Sequence, residues 1–329
     1  MQAISYATFG TARDVLRLVD MPTPAPAPGE VLVRLSYSGV NPSDVKSRAG
    51  TRPGVTKPAF DRIIPHSDGA GVIEAVGSGV APDRVGTRVW IWNGQWQRAF
   101  GTAASHICLP EDQAVPLPDS VSLETGAIMG IPGLTACHAV FGAGDVTGKT
   151  VLVQGGAGTV GLLAVQLAKW GGARVIATAH GAGMKAAQDA GADVVLDYAT
   201  EDLAAQIIDV TRGALVDRIV EVEFGVNAAI DAEVIAPNGI IAAYGSAKNM
   251  APAMPFGAML FKAVTIDILL IYLLPAADRA RAIALLHDAL QQGALACPVA
   301  RIFPLQDCAA AHEAVETGNR AGAILLDVR

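Results

Sequence analysis

The segment Gln154-Gly155-Gly156-Ala157-Gly158-Thr159-Val160-Gly161 spaces three glycines as Gly155-x-x-Gly158-x-x-Gly161. Glycines at this spacing let a chain turn sharply and bring backbone N–H groups up to a pair of phosphates. Alone, such a pattern is weak. Here an apolar, strand-like run at residues 150–154 precedes it and a helical pattern at 158–170 follows it. A second strand-like run comes at 174–178. Strand, glycine turn and helix in that order aim the positive end of the helix at negative phosphates. The chemistry predicted is the binding of a dinucleotide pyrophosphate, cradled by Gly155, Ala157, Gly158, Thr159, Val160 and Gly161.

The other end of such a ligand is read further along. A fold selective for NAD usually holds the ribose 2′-hydroxyl with an acid at the end of the second strand, ~20 residues beyond the first glycine. No Asp or Glu occurs between Asp145 and Asp189, and the second run ends in Ala177-Thr178-Ala179-His180-Gly181. A carboxylate there would repel a 2′-phosphate, whereas hydroxyls and bases accept it. Thr178, His180, Lys185 and, after the next strand, Tyr198 are the candidates. The expected cofactor is NADPH rather than NADH.

These residues need a frame. Strand and helix patterns alternate from about residue 150 to 244, with strands at 150–154, 174–178, 194–196, 216–221 and 239–244 and helices between them. That alternation predicts an α/β fold with a doubly wound parallel sheet. Residues 1 to about 120 are β-rich instead, with short runs at 31–35 and 71–76 punctuated by Gly and Pro. Helical segments at 122–141 are broken at Gly130-Ile131-Pro132-Gly133. Beyond about Lys262 come amphipathic helices at 278–292 and 309–316 and a closing strand at 323–328. The expected division is a β-rich domain over 1–121, completed by 264–329, and a nucleotide domain over 122–263.

Composition narrows the function classes. The chain has 329 residues, 51% hydrophobic and 17% charged, with a net charge of −7. It can bury large cores, and it has no general attraction for nucleic acid or anionic membranes. Cys108, Cys137, Cys297 and Cys308 show no CxxC spacing and read as small buried hydrophobes in a reducing cytosol. The N-terminal stretch lacks a basic start followed by an apolar block, so no signal peptide is expected. The apolar run at 266–274 is too short to span a bilayer, carries Asp267, and reads as a buried strand with its following turn. A soluble cytoplasmic protein is the expectation.

Further motifs carry a family resemblance. They are Ser38-Gly39-Val40-Asn41-Pro42-Ser43-Asp44 with Arg48-x-Gly50, Gly69-Ala70-Gly71-Val72-Ile73-Glu74-Ala75-Val76-Gly77, Gly126-Ala127-Ile128-Met129-Gly130-Ile131-Pro132 with Thr135-Ala136, and Ala243-Tyr244-Gly245-Ser246. With the glycine loop, they resemble the zinc-free, zeta-crystallin-like quinone oxidoreductases of the medium-chain dehydrogenase/reductase superfamily over nearly the whole chain. The resemblance implies a GroES-like catalytic domain completed by the C-terminal tail, an inserted Rossmann domain, an active site in the cleft, and a homodimer or higher oligomer built through the nucleotide domains. It places Asn41 and Thr135 near the nicotinamide. It puts Gly158, Thr159 and Val160 at the pyrophosphate, and His180 and Tyr198 at the adenosine phosphate. Asn227 and Ala243, Tyr244, Gly245 and Ser246 would line the ribose side, Ile268, Leu269 and Leu270 the carboxamide, and Asn319 the closing segment.

No metal is expected. Zinc takes Cys, His or carboxylate ligands, three in a catalytic site and four in a structural one. Where zinc-dependent relatives have a cysteine after Gly-Val, this chain has Asn41. Their Gly-His-Glu aligns with His66-Ser67-Asp68, which puts Ser67 at the ligand position and His66 one residue early. No cysteine lies between residues 1 and 107, so the four-cysteine lobe is absent.

Without a metal to polarise an alcohol, reduction of an electron-poor acceptor is the expected reaction, with NADPH as hydride source and a quinone or similar conjugated carbonyl compound as the small-molecule acceptor. A zinc-free enone or enoyl-thioester reductase, or a non-catalytic NADPH-binding protein, are the alternatives. No His or acid stands out as an obligatory proton donor, and Asp44 with Arg48 reads as a local structural pair. Lys46 and Arg52 stand where family members that reduce quinones often have tyrosines. They suit a more anionic acceptor, the NADPH phosphates, or solvent. Trp92 and Asn93, after the strand expected to open onto the substrate, complete the predicted pocket.

Overall fold

The computed structural model describes residues 1–329 apart from Pro53, Asn319 and Ala321. It divides into two compact units. The first comprises Met1–Ile131, Pro298–Asn319 and Ala323–Arg329, and the second Pro132–Cys297 with Arg320–Gly322.

The first unit is built on a mainly antiparallel sheet. Its strands run in the order Val299–Pro304, Ala323–Asp327, Glu30–Val40, Asp68–Val76, Arg88–Ile91 and Ala114–Pro116, with His106–Pro110 paired to the early part of Glu30–Val40. The long strand Glu30–Val40 has neighbours on both edges and keeps Val31, Val33 and Leu35 in the core with Ile73, Val89, Ile107, Phe303 and Leu326. The closing strand lies antiparallel on it, with Ile324 opposite Val40 and Asp327 opposite Tyr37. The helix Pro42–Ala49 follows directly, with Pro42 at its first position and Gly50 ending it in the left-handed region (φ 73°).

The second unit holds a six-stranded parallel sheet. Its order is Val194–Asp197, Arg174–Ala179, Thr150–Val153, Val216–Glu221, Ile235–Ala243, Thr265–Ile268. In chain order this is 3-2-1-4-5-6, the doubly wound arrangement in which ligands bind where the order reverses, beyond the carboxyl ends of strands 1 and 4. Those ends are Val153 and Glu221. Val151, Leu152, Val153, Val175 and Ile176 are buried without alternation because helices cover both faces of a parallel sheet.

Two expectations are corrected. The apolar run from Ile266 is not a buried strand. Thr265–Ile268 is the outermost strand, with one neighbour only, and leaves Ile268 81% exposed with Leu270 and Leu273 exposed beside it. The chain also returns to the first unit at Pro298, not near residue 264. The strand Thr265–Ile268 extends the nucleotide sheet, and the helix Ala276–Gln291 packs on Leu134–Phe141, where Cys137 Sγ meets the Ala282 carbonyl at 3.5 Å. Upstream, the change of unit falls at Ile131–Pro132, inside a π-helical turn over Met129–Gly133. All four cysteines are free, Cys137 and Cys308 being buried. No helix among the described residues is long and apolar enough to cross a membrane.

Candidate dinucleotide and acceptor sites

In the second unit the glycine loop leaves the strand Thr150–Val153 and enters the helix Thr159–Trp170. Gly155 is left-handed (φ 67°), a conformation that penalises any side chain. A Cβ on Gly161 would lie 2.3 Å from the Gly155 carbonyl oxygen, so the helix can approach the turn only with glycine there. A Cβ on Gly158 would meet nothing nearer than that same oxygen at 3.6 Å. Gly158 caps the helix in an extended conformation, is exposed, and has its own N–H on Gly155 O. The N–H groups of Thr159, Val160 and Gly161 belong to the first turn and have no intrahelical acceptor. They form an open donor cradle at the positive end of the helix, which fits a pyrophosphate.

Beneath the loop lies a polar chain that the sequence did not disclose. The Gly155 N–H donates to Thr178 Oγ1 at 3.1 Å, and the Thr178 hydroxyl donates to Gln154 Oε1 at 2.8 Å. Gln154 Nε2 in turn donates to Asp231 Oδ1 at 3.1 Å. Asp231 and Glu221 are fully buried, and Asn227 Nδ2 donates to both Glu221 carboxylate oxygens at 3.1 Å. Burial, reinforced by the Glu221 charge, pushes Asp231 well above the usual carboxylate range. Burial raises Glu221 as well, while hydrogen bonds from Glu223 N–H and Asn227 oppose the rise. Two buried carboxyl groups this close disfavour double ionisation, and both are raised.

This corrects the reading of Thr178. Its side chain is 1% exposed and holds the glycine turn from below, so it does not present a hydroxyl to a 2′-phosphate. Asn227 likewise gives its amide to Glu221. The exposed rim consists of His180 and Tyr198, with ring centroids 5.6 Å apart. His180 Nδ1 lies 2.9 Å from the Asp197 carboxylate, at the end of the neighbouring strand. An acid does therefore stand at the end of the sheet, reached across strands rather than along the chain. Lys185 is exposed and paired with Asp189 one helical turn on.

Tyr244, Gly245 and Ser246 form a turn pressed onto residues 222–225. A Cβ on Gly245 would lie 2.3 Å from Val222 O, and Ser246 Oγ accepts the Gly225 N–H at 2.9 Å. Ala243 is buried, and burial pushes the Tyr244 phenol up. Leu269 is buried, with its N–H on Ala243 O, while Ile268 and Leu270 point outward. Thr135 is buried in the helix Leu134–Phe141 of this unit. Asn319 lies outside the described residues.

In the first unit, Asn41 caps the helix Pro42–Ala49 and is 7% exposed. Its Nδ2 donates to Asp68 Oδ2 at 2.7 Å, and its backbone N–H donates to Asp44 Oδ2 at 2.8 Å. Asp68 Oδ1 accepts the Ile131 N–H at 2.8 Å. Burial, then the Asp44 charge, pushes Asp68 well above the carboxylate range, against the pull of its two N–H donors. Asp44 and Arg48 are not each other's partner. Arg48 is buried, donates to the Gly10 carbonyl, and is ion-paired with Glu316. Lys46 is exposed, and Arg52 is half-buried with a long contact to Ser43 O at 3.4 Å. Trp92 donates its indole N–H to Asp112 O at 3.1 Å. Asn93 is buried and left-handed (φ 54°), turning the chain after Arg88–Ile91.

Comparison with known proteins agrees with this architecture. Residues 27–119 match the alcohol dehydrogenase GroES-like domain family, and residues 159–288 match the family described as zinc-binding dehydrogenase. Mouse quinone oxidoreductase is 32% identical over 252 residues, covering 74% of this chain and 73% of that protein. A mycobacterial protein solved in complex with NADPH superposes with a TM-score of 0.87 at 30% identity, covering 99% of both chains. Escherichia coli quinone oxidoreductase complexed with NADPH gives a TM-score of 0.87 at 26% identity, covering 99% of this chain and 100% of that one. The two domains matched, the 3-2-1-4-5-6 sheet and the relatives converge on one assignment: the chain belongs to the quinone oxidoreductase branch of the medium-chain dehydrogenase/reductase superfamily.

Proposed function

We propose that the chain is a zinc-independent reductase that uses NADPH to reduce a quinone or a similar conjugated carbonyl acceptor. The observation that carries the reading is the built pyrophosphate cradle at Gly155–Gly161, in a chain whose relatives are named quinone oxidoreductases and whose structural neighbours hold NADPH. Bound NADPH would supply a hydride from its nicotinamide.

The chain's own residues bind and orient. The first-turn N–H groups of Thr159, Val160 and Gly161 receive the pyrophosphate, and the turn from Ala243 to Ser246 borders the ribose. His180 and Tyr198 are the exposed groups that meet the 2′-phosphate. Asn41 has its amide fixed by Asp68, which makes it a rigid polar contact rather than a metal ligand. The Asp197 carboxylate beside His180 is the feature that favours NADH instead.

The test follows NADPH oxidation with 1,4-benzoquinone, a naphthoquinone and an enone offered separately, beside NADH and chelator controls. Fast, chelator-insensitive turnover of quinone with NADPH is the expected result. Turnover of the enone alone removes the quinone reading, and tight NADPH binding without turnover removes the enzyme reading.

The same reading includes a homodimer through the outer strand Thr265–Ile268. That strand carries Ile268 at 81% exposure, and the segments before and after it carry Phe256 at 68%, Phe261 at 91% and Leu273 at 63%. An apolar sheet edge meets its own copy antiparallel about a two-fold axis, and left bare it would pair indiscriminately.

A further inference from the structure

The turn at His66 and the helix Cys308–Thr317 bring three metal-ligating side chains together inside the first unit. His66, Cys308 and His312 are all 0% exposed, and their ligand atoms lie within 4.8 Å of one another. Cys308 and His312 are one turn apart on the same helix, and the two histidines face each other through Nε2 atoms 2.9 Å apart.

Hydrogen-bond direction fixes the state of His66. Thr102 Oγ1 donates to the Asp68 backbone carbonyl at 2.6 Å, which can only accept. With that proton committed, Thr102 accepts from the Ser38 hydroxyl at 2.9 Å. Ser38 must then accept from His66 Nδ1–H, also at 2.9 Å. His66 is held as the Nδ1–H tautomer, so its Nε2 carries a bare lone pair aimed at the cluster. Holding the remote ring N–H in this way is how proteins orient a metal-bound histidine. Without a cation, His312 meets that lone pair with its own Nε2–H. Its Nδ1 is then left buried without a partner.

We propose that His66 Nε2, His312 Nε2 and Cys308 Sγ form a buried site for a soft d10 cation, Zn(II) or Cu(I). Two imidazoles and a thiolate suit these ions and not Mg(II) or Ca(II). The site uses neither Asn41 nor Ser67, the positions that correspond to catalytic zinc ligands in zinc-dependent relatives. Loading displaces the Cys308 thiol proton to solvent and moves the His312 proton from Nε2 to Nδ1. At metal–nitrogen distances of about 2.0–2.1 Å, the two Nε2 atoms need to part by roughly half an ångström. Arg48 contributes positive charge near His312 and Cys308, and its ion pair with Glu316 offsets it.

The test uses the full chain, produced in medium supplemented with zinc or, separately, with copper under reducing conditions. After desalting, metal per chain is counted by mass spectrometry for the wild type, Cys308→Ser, His312→Gln and the outlying control Cys108→Ser. Expected are about one equivalent in the wild type and in Cys108→Ser, and an at least roughly tenfold loss in the two cluster variants. Retention of only one of the two ions supports the site and names its occupant. Should His312→Gln not fold, X-ray absorption of the loaded wild type decides instead, a sulfur and two nitrogens being the expected shell. A wild type that retains neither ion, retention unchanged in Cys308→Ser, or a shell without sulfur overturns the proposal.

Discussion

Thr178→Val keeps the shape of the side chain and removes only its hydroxyl. In the native unit that hydroxyl accepts the Gly155 N–H at 3.1 Å and donates to Gln154 Oε1 at 2.8 Å. Thr178 and Gln154 are each 1% exposed, so water does not take over the Gln154 bond, while Gly155 is half-buried and partly compensated. Stranding a buried donor or acceptor costs about 1–3 kcal/mol, which gives a loss of about 2–4 kcal/mol here. For a unit of this size that lowers Tm by roughly 5–15 °C. The glycine turn that loses its support serves the pyrophosphate, which NADPH and NADH share. The dissociation constants of both should therefore rise by a similar factor, about tenfold for 1.4 kcal/mol transmitted to the loop. Thermal unfolding and equilibrium binding of both nucleotides measure this. A variant with unchanged Tm that weakens NADPH but not NADH would place Thr178 at the 2′-phosphate and refute the account of it as a support.

Gly161→Ala should cost about 1–3 kcal/mol and weaken NADPH strongly, because its Cβ would lie 2.3 Å from the Gly155 carbonyl; Gly158→Ala, with nothing nearer than 3.6 Å, should fold normally, and calorimetry of both variants checks the contrast. Asp44 is pushed up to about 7, first by burial, against the pull of the Asn41 N–H and Arg52. A raised carboxyl contributes stability that is complete below its unfolded pKa of about 3.8 and is lost as pH rises through 7, up to roughly 4 kcal/mol. Asp44→Asn should remove that part of the pH slope in denaturant titrations between about pH 4 and 7, and an unchanged slope would count against it. Ile268→Asp should convert a dimer to monomers in sedimentation, because it places a charge on the open sheet edge; a dimer that persists would remove that edge as the interface.

The parts of this molecule legible in the sequence are those fixed by local chain geometry. The glycine loop is one: a left-handed Gly155 and a Gly161 that must touch it impose a spacing visible in the letters alone. The doubly wound sheet is another, since strand and helix periods alternate. What stayed hidden depends on neighbours distant in sequence. Thr178 sits at the end of a strand covered on both faces, and nothing in Ala-Thr-Ala-His says which way its hydroxyl turns. Asp197 escaped a rule that counts along one strand because it comes from the adjacent one. Nothing in the residues around Asp231 and Glu221 marks either acid as buried, because their cover comes from elements distant in sequence. The run from Ile266 reads as a covered strand because composition alone does not distinguish a strand inside a sheet from one at its edge. Cys308 and His312 show helical spacing, but His66 lies 246 residues from His312, and only the fold joins them.

The closing strand Ala323–Asp327 lies against Tyr37–Val40, beside the stretch of the same edge that His106–Pro110 already occupies. During synthesis the segment Pro132–Cys297, which supplies all six strands of the nucleotide sheet, emerges while the Tyr37–Val40 edge is still bare. The nucleotide unit can thus fold on the ribosome before the sheet begun by Glu30–Val40 can close. For that interval the nascent chain carries an unpaired strand edge at Tyr37–Val40, which Ala323–Asp327 covers in the folded unit. Until residue 323 has been made, that edge is open to pairing with other chains.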